Sequence, residues 1–157
     1  MIEASDLDPY DMKILRGLSE DGRISWRDLA EKIGLSLTPT LRRVRRLEDQ
    51  GYIQGYTATL DERRLKGAMV VFISVTLERQ SDNFIMTFEQ RASALPEIMS
   101  GFLMTGGADY LLRAVVRDLD HYQRLLSELT RCPGVAHIQS SFAIKAFVNR
   151  PAPILAE

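Results

Sequence analysis

Two amphipathic helical patterns separated only by Gly34, Leu35 and Ser36 restrict this 157-residue chain more sharply than any other feature of its sequence. In SWRDLAEKIG, Ser25 and Asp28 have the spacing of a capping box, and Leu29, Ala30 and Ile33 form an apolar stripe. Gly34 suits the left-handed residue that closes a helix. The next pattern runs from Leu37 to Gln50, with Ser36 as its cap, Pro39 in the first turn and Gly51 as its stop. A third pattern precedes them in DPYDMKILRGLSED, where Asp8 caps, Pro9 takes the first helical position, and Met12, Ile14, Leu15 and Leu18 face inward. So short a turn between the last two helices predicts a helix-turn-helix. YIQGYTATLD then reads as extended, and ERRLKG as a hinge.

The last of these helices carries Arg42, Arg43, Arg45 and Arg46 around Val44. At about 100° per residue, Leu37, Leu41, Val44 and Leu47 share one side. Thr38, Pro39, Arg42 and Arg46 then point outward, with Arg43 on the edge, and Arg45 falls nearest Leu41, where it only packs or pairs. Thr38 and Thr40 occupy the N-terminal turn, which in a recognition helix meets base edges. The whole chain has a formal charge of −1, yet residues 12–47 hold nine basic side chains against four acidic ones. That asymmetry makes a polyanion, specifically DNA, the expected partner of the first segment, since arginine pairs with both phosphate and guanine. Trp26, beside a helix cap, reads more simply as packing than as base stacking.

Beyond residue 67 the rhythm changes. AMVVFISVTLE is a β-branched strand, SDNFIMTFEQRASAL has Phe84, Phe88, Ala92 and Leu95 at helical spacing, and EIMSGFLMTG with ADYLLRAVVRD forms a hairpin about two glycines. LDHYQRLLSELTRC is helical, and PGVAHIQSSFAIKAF returns as a strand. The order βαββαβ is the ferredoxin-like arrangement, an α+β fold with helices on one face of a four-stranded sheet. The other face has no element to cover it, so self-association through it is expected. The division is a helix-turn-helix domain over residues 1–67 and an α/β domain over residues 68–157.

Other functions find little support. The single Cys132 forbids an internal disulfide and, with only His121 and His137, a Cys/His zinc site within one chain. Cys132 before Pro-Gly reads as a small buried residue. The two histidines suggest no catalytic triad, and His121 is expected to be an exposed helix residue, so no enzyme, metal or cofactor is implied. Asp118 and Asp120 serve as helix cap and N-terminal charge. The acidic start lacks a secretory core and no apolar run is long enough to span a bilayer, which makes the cytoplasm the expected location.

The combination of GRIS, TP, RVRRLE, GYIQGY and GGADY resembles the Lrp/AsnC family of transcription regulators, over nearly the whole chain. The resemblance implies a winged helix-turn-helix, a linking strand, and an effector domain that dimerises through its sheet and assembles further, often to octamers. It implies DNA contacts from Ser25, Trp26, Ser36, Thr38, Pro39, Thr40, Arg42, Arg43 and Arg46. It also implies a small-molecule site around MTGGADY, comprising Met104, Thr105, Gly106, Gly107 and Asp109, with Ser140 on the last strand. Exposed glycine N–H groups would suit a carboxylate and Asp109 an α-amino group, the two ends of an amino acid. An architectural DNA-binding regulator without an effector is the alternative.

Overall fold

The computed structural model describes residues 7–61, 64, 69–79 and 81–148. It divides into two compact units that meet between Leu60 and Asp61 in sequence. The domain boundary expected after residue 67, and all but Arg64 of the hinge expected at 62–67, lie outside the described residues.

The first unit holds α1 (Pro9–Glu20), α2 (Trp26–Ile33) and α3 (Leu37–Asp49). Asp8 caps α1 by accepting from the N–H groups of Tyr10 and Asp11, while the Asp11 carboxylate accepts from the Asp8 N–H. The Ser25 hydroxyl accepts from the Asp28 N–H at 3.1 Å, and α2 ends at Gly34 with φ 77°, a backbone that glycine alone adopts without penalty. Ser36 occupies the cap position of α3, but its hydroxyl makes no capping bond and lies exposed. Ile14, Leu29, Ile33, Val44 and Leu47 form the core of the unit. Residues 54–61 are neither helix nor strand, so the expected linking strand finds no ladder partner among the described residues.

One correction concerns the roll of α3. Its buried residues are Thr40, Val44 and Leu47, whereas Leu37 is 41% exposed and Leu41 only partly covered. The helix is turned by roughly 40° from the register that its leucines suggest. Thr40, expected at the DNA, is fully buried and its hydroxyl donates to the Ser36 carbonyl at 3.0 Å.

The second unit is a sheet of β1 (Met69–Leu77), β2 (Ile98–Leu103), β3 (Tyr110–Val116) and β4 (Val135–Phe142), with α4 (Asp82–Ser93) and α5 (Leu119–Thr130). Strand order is β2-β3-β1-β4, every pair antiparallel, which is the ferredoxin-like topology. Alternate residues of β1 (Val71, Ile73, Val75, Leu77) and β3 (Tyr110, Leu112, Ala114, Val116) are buried against Phe88 and Ala92 of α4 and Leu125 and Leu129 of α5. Gly134 lets the chain pass close to α4: its φ is +84°, and a Cβ there would stand 2.7 Å from the Phe84 ring. Cys132 is buried, its thiol donates to the Glu128 carbonyl, and burial pushes its pKa up. Asp118 caps α5 by accepting from the His121 N–H at 2.7 Å. His121 is not the free surface residue expected from sequence: its Nε2 is 2.7 Å from Glu97 Oε1, because the Glu97 carbonyl accepts from the Val115 N–H at the end of β3, where the chain turns into α5. Among the described residues no helix is long and apolar enough to cross a membrane.

Candidate functional site

The outer face of α3 presents Thr38, Arg42 and Arg45, all exposed. With Leu41, Arg46 and Asp49 they line an open groove of about 430 Å³. Arg42 and Arg45 form no ion pair among the described residues, whereas Arg43 and Arg46 are both engaged by α1. Arg43 Nη1 donates to Asp11 Oδ1 at 2.9 Å and to Asp8 Oδ2 at 2.5 Å, and Arg46 Nη2 donates to Asp11 Oδ2. The Arg43 guanidinium also rests over the Tyr10 ring, 5.5 Å from its centroid. Hydrogen bonds to Asp8 and Asp11 raise the Arg43 pKa further above its usual value. Burial pushes the Asp8 carboxyl up, but its hydrogen bonds with the Asp11 N–H and with Arg43, and the charge of Arg43, hold it below its ordinary value.

The roles of the arginines therefore differ from those read off the leucine register. Arg45, expected to pack or pair, is exposed; Arg46, expected to point freely outward, turns its tip to a buried carboxylate. Nothing in the local sequence marks Asp11 as the partner of two arginines more than thirty positions away. Ser25 and Ser36 are exposed at the starts of α2 and α3, and Pro39 is partly covered. Trp26 is 38% exposed and meets the Tyr56 ring edge-on at 6.5 Å, which agrees with packing. Tyr56 in turn donates to Glu48 Oε1 at 2.9 Å; partial burial and then the Glu48 bond and charge push its pKa to about 12.

In the second unit, Met104, Thr105, Gly106 and Gly107 are exposed in the loop between β2 and β3. Gly106 has φ +132°, and a Cβ at either glycine would meet nothing within 4 Å. Asp109 is 8% exposed, and one carboxylate oxygen accepts from the Leu77 N–H at 2.7 Å. That oxygen is committed to the fold, which qualifies its expected role as an open acceptor for an amino group. Ser140 pairs with Ile73 on the helix-covered face, and its Oγ is buried without a partner. With β1 lying between β3 and β4, the sheet does not bring Ser140 to the loop. A feature that sequence reasoning missed is a cleft of about 350 Å³ between α4 and β2, walled by Phe88, Ala92, Ile98, Leu103 and Leu112. Across it the Tyr110 hydroxyl donates to Glu89 Oε1 at 3.0 Å. A helix-to-edge-strand gap of this kind depends on the packing distance between elements, which carries no local sequence signature.

Comparison with known proteins agrees with this geometry. The family model described as winged helix-turn-helix DNA-binding matches residues 7–54, and that described as Lrp/AsnC ligand binding domain matches residues 70–153. The chain is 59% identical over 152 residues to the Bkd operon transcriptional regulator of Pseudomonas aeruginosa, covering 96% of this chain and 99% of that one. It is 47% identical over 131 residues to the leucine-responsive regulatory protein of Escherichia coli, covering 83% and 80%. A transcriptional regulator of Neisseria meningitidis, solved in complex with L-methionine, superposes with a TM-score of 0.88 at 34% identity, covering 94% of this chain and 96% of that one.

Proposed function

The chain belongs to the Lrp/AsnC family of DNA-binding transcription regulators, and from that premise we propose that an amino acid sets its activity or its assembly on DNA. The observation that carries the DNA side is the outward pair Arg42 and Arg45, unpaired on a helix whose other arginines are tied to α1. In this reading Thr38, Arg42 and Arg45 enter the major groove, and Ser25, Ser36 and Pro39 approach the backbone at the helix starts, with Trp26 packed behind them. Thr40 takes no part.

The effector side is supported by the exposed glycines of the 104–109 loop and by the L-methionine complex of the Neisseria regulator. The protein works in this reading as a homodimer formed through its sheet that assembles further, in the cytoplasm. A second reading, an architectural regulator without effector, draws on the commitment of Asp109 to Leu77. The name of the Pseudomonas relative makes control DNA of a bkd operon the first sequence to try. Melting temperature and affinity for that DNA, measured with each of the twenty amino acids, separate the readings. At least one amino acid is expected to raise the melting temperature and change the affinity; no response to any of them would leave the architectural reading.

A further inference from the structure

Asp11 is the one carboxylate in the first unit's described residues with no exposed surface at all, and it faces two of the four arginines of α3. Its Oδ1 accepts from Arg43 and its Oδ2 from Arg46 and from the Asp8 N–H; Asp8 adds a second oxygen to Arg43. A carboxylate offers a guanidinium the same planar, two-oxygen acceptor that a phosphate does. We propose that Asp11, assisted by Asp8, withholds Arg43 and Arg46 from DNA phosphate, so that only Arg42 and Arg45 of this helix contribute to sequence-independent attraction.

The physical reason is the asymmetry of breaking a buried pair. For a phosphate to recruit Arg46 or Arg43, Asp11 has to give up one of its two guanidinium partners while it stays buried, and taking a partner from a buried charge is far more costly than taking one from a surface charge. Arg46 is half exposed along its length and still lines the groove, but its tip is occupied. The contrast with Lys32 and Glu20 is instructive: both members of that pair are largely exposed, so either can exchange its partner for solvent or phosphate at little cost. Non-specific affinity grows with the number of phosphates neutralised, whereas base contacts do not depend on that number. Withholding two arginines therefore lowers background binding more than it lowers recognition, and raises the ratio between them.

The inference rests on the assignment of the outer face of α3 to DNA, and one experiment tests both separately. Affinity of the full-length chain for a random-sequence duplex is measured against salt for the wild type, R42A, R46A, D8N and D11N. R42A is expected to flatten the logarithmic salt slope by roughly 0.9 per protomer in contact, and R46A to leave it unchanged. D11N, which removes the shared charge, is expected to steepen the slope and tighten non-specific binding. D8N keeps the capping of α1, because asparagine caps as well as aspartate, and removes one of the two carboxylates on Arg43 while Asp11 keeps its hold, so its slope is expected to steepen by less than that of D11N. R46A decides the matter even if D11N fails to fold, because it leaves both carboxylates of α1 in place. An unchanged slope in R42A would overturn the face assignment. An R46A slope as flat as that of R42A, or a folded D11N whose slope equals that of the wild type, would overturn the withholding.

Discussion

Asp109 joins three strands through three different atoms. Its carboxylate accepts from the Leu77 N–H, its own N–H donates to the Val75 carbonyl at 2.9 Å, and its carbonyl accepts from the Met104 N–H at 2.8 Å. Removing the carboxylate leaves the Leu77 N–H without that partner at a place where water has little access, a loss of about 1–3 kcal/mol. D109A is accordingly expected to lower the stability of the full chain in urea by that amount, while D109N, which retains an acceptor oxygen, lowers it by less. Equal stability of D109A and wild type would show that the contact contributes nothing. The same residue illustrates how far a single sequence can be read. GGADY marks the turn, but its burial and its bond to Leu77 come from a strand thirty-two positions earlier. Asp11 is the parallel case: it lies one position before the basic segment of residues 12–47, and it is the acid that holds two of those bases, Arg43 and Arg46.

Among elements, periodicity carried most of the information. Every helix and strand of the described residues follows a pattern visible in the chain, because apolar spacing reports directly on which face is buried. What periodicity could not give was the roll of α3, since Leu37 and Leu41 extend the apolar stripe to one side while an ion pair draws the helix to the other. The segment at 54–61 shows another limit: alternation favours an extended backbone, but a strand also needs a neighbour. The contact of α4 with β3 offers a titration test. Burial first, then the hydrogen bond and charge of Glu89, push the Tyr110 pKa from 10.0 to about 12. A group whose pKa is raised on folding contributes stability that is complete below the unfolded value and lost as pH rises through the folded one. Stability of the wild type is therefore expected to fall between pH 10.0 and about 12. Y110F removes that part of the fall, as denaturation at successive pH values would reveal; an identical decline in both would exclude it.

At the scale of the whole molecule, the sheet has two unlike faces. Helices cover one, and the other displays Phe72 at 40% and Phe102 at 55% exposure, beside Val70, Leu111 and Val115, with no cover among the described residues. Burial of such aromatic area against a second copy is the driving force for association that the amino-acid pattern suggests. F72E is expected to shift sedimentation toward smaller species while leaving the helical unit folded, and an unchanged distribution would place the interface elsewhere. Finally, the order of the strands has a consequence for synthesis. The three helices draw their core from residues 7–53 alone and can gather it early in synthesis. The sheet cannot, because β1 lies between β3 and β4, and β4 comes last along the chain. Until Val135–Phe142 emerges, β1 remains an open edge on a nascent chain whose three helical segments are already made. Each newly made copy thus carries an unpaired strand edge until its last strand has been made.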